Sequence, residues 1–511
     1  MGIIKKQAIQ GTIFSYAGVV LGFITTGILM PHMLSKDQVG LLGLHVSGAI
    51  MLAQFAGLGV SNAGVRYFTY FRDYERQHNG FLLITIIASL IGFLLSTGVL
   101  LALRPLIVEW YGKNSQLFVY YYYLLIPVTF FTLFFGLFDN YAKLLYDSVT
   151  GTFLQQFVQR LLIMGAVVVY GLGQVSFPAF LGLWLLSLAL PLLMLIGKIA
   201  RNKALALNRQ YIRVDETMRR QLGRYASLTL LTGLSSQVIL HIDKYMVSHY
   251  LGLTAAGIYT ICSYFGTVIQ MPAMALYKVS GVIIADSWKT NDLANIQNIY
   301  RKSCLIQLVA GCLVFVGVAA NLPSIFRILP AGYEAGYYVI LWIGLGKLFD
   351  MATGVNGMIL ATSRYYAYDS AFFILLVVIT FLTTQYMLPR YGQEGAAIAA
   401  AFATALFNSM RTWFVWYKFG LQPFSWRNGI VLVIAAGIWA LAAAVPNTSD
   451  TWLSIGVDVL VRSLCITLLF LGTLYVSRIV PDLNHLILNT LNRFRNRTAI
   501  APADNKQQES R

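Results

Sequence analysis

Along most of this chain apolar residues come in blocks of about 20 to 25, the length an α-helix needs to cross the hydrocarbon of a bilayer. Such blocks lie near 11–34, 40–60, 80–103, 117–138, 151–171 and 176–197, and again near 225–251, 255–277, 303–322, 336–359, 368–389, 395–419, 428–446 and 452–477. Their length selects helices over the alternating, roughly ten-residue strands of a membrane barrel. The pattern predicts an all-α polytopic membrane protein of about 14 transmembrane helices. Its parts are an N-terminal six-helix lobe at 1–200, a basic linker at 201–224, a second six-helix lobe at 225–420, two extra spans at 421–480 and a basic tail at 481–511.

The first block follows a basic start, as a signal peptide would, but it is too long and carries no A-x-A-like site before Pro31, so it reads as a retained first span. Lys6 stands where a myristoylation signal needs Ser or Thr. Two stretches, TNDLANIQNIYRK (290–302) and LNHLILNTLNRFRNR (483–497), are amphipathic at helical spacing and suit an anionic membrane surface. The closing APADNKQQESR has the composition of a disordered tail.

Composition excludes a water-soluble globule. Of 511 residues, 58% are hydrophobic and 11% charged, and the mean hydropathy is +0.67. The net charge of +17 is confined to short loops and the tail, so no basic domain exists to bind nucleic acid. The basic residues lie mostly on one side of the predicted spans: Lys5, Lys6, Arg66, Arg72, Arg76, the eight from Lys198 to Arg224, Lys278 to Lys302, Arg364, Lys418, Arg427 and the tail from Arg493. The opposite loops hold Lys36, Arg104, Lys113, Arg327 and Arg390. That asymmetry places both termini in the cytoplasm. The four cysteines fall in apolar segments with no C-x-x-C pair and read as small core residues.

The two lobes carry a weak internal repeat. MLSKDQVGLLGL (33–44) can be laid on YLGLTAAGIYTI (250–261), pairing Leu34 with Leu251, Gly40 with Gly257 and His32 with His249. Each hairpin opens one lobe on the same side, so the repeat is parallel. In this register Asp243 and Lys244 stand against Thr26 and Gly27, and the ionisable pair belongs to the second lobe alone.

That pair lies inside YASLTLLTGLSSQVILHIDKYMVSHYL (225–251), a span-length block where charge is costly unless it faces protein or water. Gln237, His241, Lys244 and Ser248 recur at i, i+4, i+7 and i+11 and form one polar stripe, suited to lining a cavity. Asp243 sits about 100° round the helix from Lys244 and either couples an ion or pairs with a neighbouring helix to hold the bundle. Elsewhere Arg160 lies mid-span; Lys347 and Asp350, at i, i+3, form either a bridge or part of a pathway. Arg411 can snorkel toward the cytoplasmic side, and Asp458 with Arg462, at i, i+4, reads as a local pair. Ser15, Gly22, Thr25 and His32 share a face of the first span, where Gly and Thr equally serve close packing. The tyrosines at 120–123 read as interfacial belt. GLGK at 344–347 lacks the glycine spacing and Ser/Thr of a phosphate-binding loop and lies inside a span.

Two lobes of six spans, the HIDKYMVSHYLGLTAAGIY hairpin (241–259), LPAGYEAGYYVILWIGLGKLFD (329–350) and LPRYGQEGAAIAAAFATAL (388–406) resemble the Wzx-type polysaccharide flippases of the multidrug/oligosaccharidyl-lipid/polysaccharide exporter superfamily. The resemblance covers nearly the whole chain, though its motifs are diffuse. It implies two lobes around a cationic cavity that moves undecaprenyl-diphosphate-linked oligosaccharide across the cytoplasmic (inner) membrane of a bacterium by alternating access. The last two spans would flank a lipid groove. The partners implied are the polyprenyl-diphosphate-linked oligosaccharide, the bilayer and polysaccharide-assembly proteins.

Arg and Lys donors in a low-dielectric cavity would offset the desolvation of a diphosphate, so Lys244, Lys347 and Arg160, with Gln237, His241 and Ser248, are the substrate-binding candidates. Asp243 and Asp350 are the candidates for coupling Na+ or H+, and no metal site or other cofactor is expected. The rival readings are a multidrug/ion antiporter of the same superfamily and a membrane polysaccharide polymerase or ligase, the latter disfavoured because the outer loops carry few acids or bases.

Overall fold

The computed structural model describes residues 2–73, 77–205, 207, 215–445 and 451–480. Among them every regular element is helical. The first half runs α1 (Gly2–Gly22), a π-helical segment (Phe23–Leu29), α2 (Met30–Met33), α3 (Lys36–Ala56), α4 (Val60–Phe71), α5 (Phe81–Tyr111), α6 (Gln116–Tyr120) and α7 (Leu125–Leu144). It continues with α8 (Val149–Phe153), a second π-helical segment (Leu154–Val158), α9 (Gln159–Gly171) and α10 (Phe177–Arg201). The second half runs α11 (Glu216–Leu251), α12 (Leu253–Val268), α13 (Met271–Lys289), α14 (Leu293–Ile328), α15 (Tyr337–Ala352), α16 (Asn356–Thr362), α17 (Tyr366–Phe419), α18 (Trp426–Ala444) and α19 (Trp452–Ser477).

Eleven described helices are long and apolar enough to cross a bilayer, or twelve if α15 and α16, bent by 54° at their break, count as one span. The count of about fourteen is therefore approximate, and the difference lies in the broken helices. Gly354 takes φ +66° at the α15–α16 break, and Gly392, at φ 60° and ψ −147°, interrupts the 54 residues of α17 where the sequence places two spans. Such backbone is open to glycine because it lacks a Cβ. The block near 255–277 falls across α12, which is too short to count alone, and α13, whose 19 residues include Lys278, Asp286 and Lys289 and which is not among the apolar spans. The stretch 290–302 does not form a separate surface helix; after a turn at 290–292 its residues are the first turns of α14, which starts at Leu293. The stretch 483–497 and the tail lie outside the described residues.

Packing divides the chain into two compact units, each discontinuous in sequence. One comprises Met1–Val268, Phe326–Lys347 and Arg364–Met410; the other comprises Ile269–Ile325, Leu348–Ser363 and Arg411–Arg511. This partition follows contacts, whereas the division into lobes follows repeat and linker, and neither tests the other.

The first unit has an aromatic core of Phe68, Phe71, Phe81, Phe134, Phe138 and Tyr141, drawn from α4, α5 and α7. In the second, α14, α18 and α19 interlock through Leu308, Cys312, Val316 and Ala320, Val431, Ala435 and Ile438, and Ile466, Phe470 and Leu474. These residues recur every three or four positions, so each helix presents one apolar stripe to the others. The opposite faces expose Val433 at 71% and Leu468 at 64%; in a chain of membrane-spanning length those side chains meet lipid. Beside that core Arg462 is buried and pairs with Asp458 at 3.4 Å, the i, i+4 pair the spacing predicts. Arg411, expected to snorkel, is instead 9% exposed. Of the tyrosines at 120–123, Tyr120 is 78% exposed, but Tyr122 is buried and donates to the Leu100 carbonyl at 2.7 Å.

Candidate functional site

Within the first unit lies a cavity of about 470 Å³ whose walls come from both halves of the chain. The first π-helical segment contributes Thr25 and Thr26, and the second contributes Gln155 and Gln156. A π turn carries one residue more than the α ladder accommodates, which bulges the backbone and re-aims side chains there. Gln159 and Arg160 follow on α9, Lys244 comes from α11, and Thr260, Ser263, Tyr264 and Thr267 from α12. Among the lining residues are two cations, three glutamines and several hydroxyls, and no Asp or Glu.

Arg160 is held by its fit against α1. Its Nη1 donates to the Gly18 carbonyl at 2.5 Å. A Cβ at Gly18 would lie 2.6 Å from the Gln156 carbonyl, and one at Gly22 would overlap Arg160 Nη1 and come within 2.7 Å of the Tyr264 hydroxyl. Gly18 and Gly22 thus form a small-x-x-x-small face that admits the backbone of the second π-helical segment and the guanidinium. Tyr264 closes the other side. The buried hydroxyls of Thr25 and Thr260 have no hydrogen-bond partner among the described residues. They leave polar capacity on the wall for a ligand.

The sequence-derived stripe on α11 divides when placed in the structure. Lys244 lines the cavity. Ser248 does not: it is fully buried, and its Oγ lies 2.9 Å from that of Ser115, joining α11 to the turn after α5. Gln237 and His241 are half-buried and absent from the cavity lining, and the buried Nδ1 of His241 has no partner among the described residues. The stripe spans three turns, and packing against other helices at its ends covers part of what spacing alone aligns. Asp243 accepts from the Tyr259 hydroxyl at 2.7 Å, binding α11 to α12. Lys347 is half-buried on α15, outside the cavity lining. In the second unit Asp350 accepts from Gln270 at 2.5 Å and from Tyr277 at 3.2 Å.

Sequence reasoning missed the glutamines. Their signal was visible as QQFVQR (155–160), four strongly polar residues in six within an otherwise apolar span. Neutral amides are cheaper to bury than a charge and so stand out less in a span than the Arg160 beside them.

The cavity is thus polar and positively charged, and its walls are apolar helices of membrane-spanning length. The fold is that of the MOP superfamily transporters. The chain is similar to the lipid II flippase MurJ in an inward closed conformation, with TM-score 0.70 and 14% identity over 92% of this chain and 100% of that one. It is also similar to an inward-facing multidrug resistance MATE family transporter, with TM-score 0.63 and 14% identity over 79% and 94% of the two chains. A third likeness, at TM-score 0.54 and 14% identity over 82% and 95%, is to a MOP superfamily transporter from Pyrococcus furiosus described as having a binding pocket of reverse polarity. No protein-family profile and no curated protein matches the chain.

Proposed function

We propose that this chain flips an undecaprenyl-diphosphate-linked oligosaccharide across the bacterial cytoplasmic membrane for surface polysaccharide synthesis, with both termini in the cytoplasm. The single observation that carries this reading is the cavity wall, on which Arg160 and Lys244 face a space without a carboxylate. A diphosphate entering a low-dielectric space loses its hydration. Charge-assisted hydrogen bonds from a guanidinium and an ammonium offset that loss. Gln155, Gln156 and Gln159, with the wall hydroxyls, supply neutral donors and acceptors for sugar hydroxyls, while the polyprenyl tail stays in lipid.

The likeness to a lipid II flippase over that protein's whole length supports a lipid-linked substrate. The likeness to MATE transporters keeps a multidrug/ion antiporter as the second reading. Cationic drugs would meet two like charges here, which disfavours them. A polymerase or ligase finds no support in the transporters it resembles. In this proposal Asp243 and Asp350 remain the carboxylates for Na+ or H+ coupling, and polysaccharide-assembly proteins the partners.

The test is depletion of the protein in its host. Lipid-linked oligosaccharide should accumulate on the cytoplasmic leaflet. An unchanged leaflet distribution with altered drug sensitivity would move the assignment to the antiporter.

A further inference from the structure

The turns that lead into α3, α6 and α12 meet at one end of the first unit, each reached after an odd number of the sequence-derived spans and so on the side opposite the N-terminus. Between them lies a cleft of about 700 Å³ whose lining includes Asp37, Lys113, Asn114, Gln116 and Tyr120. It adjoins the central cavity along α3, where Gln38 lines the cleft and Val39 the cavity.

Two of these turns are locked together. The buried Ser115 hydroxyl donates to the Ser248 carbonyl at 3.1 Å and lies 2.9 Å from the Ser248 hydroxyl. Asn114 Nδ2 donates to the His249 carbonyl at 3.3 Å, and the Asn114 carbonyl accepts from the Leu253 N–H at 3.3 Å. Gly252, at φ +87°, permits this approach: a Cβ there would stand 2.9 Å from the Asn114 carbonyl oxygen. The side chains displayed on this scaffold keep unspent bonding capacity. Lys113 and Gln116 make no side-chain hydrogen bond or ion pair among the described residues. Asn114 Oδ1 and Asp37 Oδ2 are likewise unengaged, the latter carboxylate accepting from Thr254 through Oδ1.

The chemistry of the lining selects a ligand. One cation beside one carboxylate leaves no net charge, which suits neither a diphosphate nor a lone ion. Amides and a carboxylate pair well with hydroxyl groups, and an open aromatic ring packs against an apolar C–H face. A sugar offers both. Tyr120 supplies the ring, 78% exposed and braced edge-to-face by Tyr121 at 4.8 Å. A tyrosine of an interfacial belt stands among lipid-facing side chains, whereas this one shares a polar cleft with Lys113, Asn114 and Gln116.

We propose that this cleft binds uncharged sugar residues and receives the glycan of the flipped lipid as it leaves the cavity. This rests on the flippase reading above. The diphosphate would be held by the cavity and the sugars by the cleft, so the two sites recognise different parts of one molecule.

The test uses the detergent-purified full chain and free oligosaccharide, cut from the host's lipid-linked pool by mild acid so that it carries neither diphosphate nor lipid. Binding is read by saturation-transfer NMR and titrated to a dissociation constant. The parent should bind, and Tyr120→Ala and Gln116→Ala, both exposed, should each weaken binding about fivefold or more. Arg160→Gln, in the central cavity, should leave it unchanged. A parent that does not bind, or folded cleft variants that bind as the parent does, overturns the proposal. Loss of binding in Arg160→Gln alone would put the sugar in the cavity and overturn it as well. Depletion in the host separates the two claims: an unchanged leaflet distribution with cleft binding intact refutes the flippase and supports the sugar site, while accumulated lipid-linked oligosaccharide without cleft binding refutes the sugar site alone.

Discussion

A methyl group at position 22 tests the site without touching a charge. Gly22→Ala leaves α1 intact, since alanine is the better helix former by about 1 kcal/mol. The new Cβ would overlap Arg160 Nη1 and lie 3.0 Å from its Cζ and 2.7 Å from the Tyr264 hydroxyl. Of these, the guanidinium ends a flexible side chain and yields first. It leaves the Gly18 carbonyl, which still belongs to the ladder of α1, so the fold loses at most one side-chain hydrogen bond. The ligand loses more, because a hydrogen bond to a charged group contributes about 1.5–3 kcal/mol, or about 10- to 150-fold in affinity. The assay is binding and flipping of a fluorescent lipid-diphosphate oligosaccharide in proteoliposomes, with thermal unfolding as the control for the fold. Arg160→Gln should weaken binding to a similar degree, and the double variant Gly22→Ala with Arg160→Gln should be little worse than either alone, because both remove one interaction. Binding by Gly22→Ala within twofold of the parent, or full additivity in the double variant, would refute the placement of Arg160 on the ligand.

Other residues give separable outcomes. Lys244→Gln should lower transport by about tenfold or more while the protein stays folded in the membrane, and normal flipping by that variant would remove Lys244 from the site. Asp243→Ala strands the Tyr259 hydroxyl in the α11–α12 interface and should cost about 1–3 kcal/mol in unfolding experiments, and Tyr259→Phe, which leaves the Asp243 carboxyl short of its donor, should cost at least as much; equal stability of Asp243→Ala and the parent would contradict a structural role for that carboxylate. In the loop after α7, burial pushes the Asp147 carboxyl up, but hydrogen bonds from Lys198 and Thr150 outweigh it and hold the group below its ordinary range. The Asp147–Lys198 tie, at 2.8 Å, therefore stabilises fully above the usual carboxylate pKa and is lost as pH falls through the depressed one. Thermal stability should drop on acidification less in Asp147→Asn than in the parent, and identical pH profiles would contradict the tie.

The helical bundle was legible because a bilayer leaves the chain few options: an apolar block of span length must satisfy its backbone internally and so becomes a helix. Breaks were harder to see. Gly354 and Gly392 are two of 43 glycines, and only the neighbouring packing decides which of them carry positive φ. Arg160 and Lys244 could be found by the cost of charge in a membrane, which singles out few positions. Ser248 could not be resolved in the same way, since its partner Ser115 lies 133 positions away, on a loop no helical wheel represents. The same limit applies to Asp243, for which spacing left two roles open; its bond to Tyr259 is with the next helix, 16 residues on. The Gly40–Gly257 correspondence was faint as sequence similarity, yet it marks a direct contact.

The two π-helical segments make the cavity wall sensitive to the loss of a single residue. Each carries a surplus residue, so a single deletion within Phe23–Leu29 or Leu154–Val158 would restore an ordinary α ladder rather than break the helix. The turns on either side would keep their phase, because the surplus residue is what the bulge absorbs. The bulge itself would vanish, and with it the aim of the side chains it turns to the cavity, Thr25 and Thr26 in the first segment or Gln155 and Gln156 in the second. A relative shortened by one position there would keep its hydropathy profile and its arginine and lose part of its polar wall, so alignments that slide a gap through these stretches will misassign function.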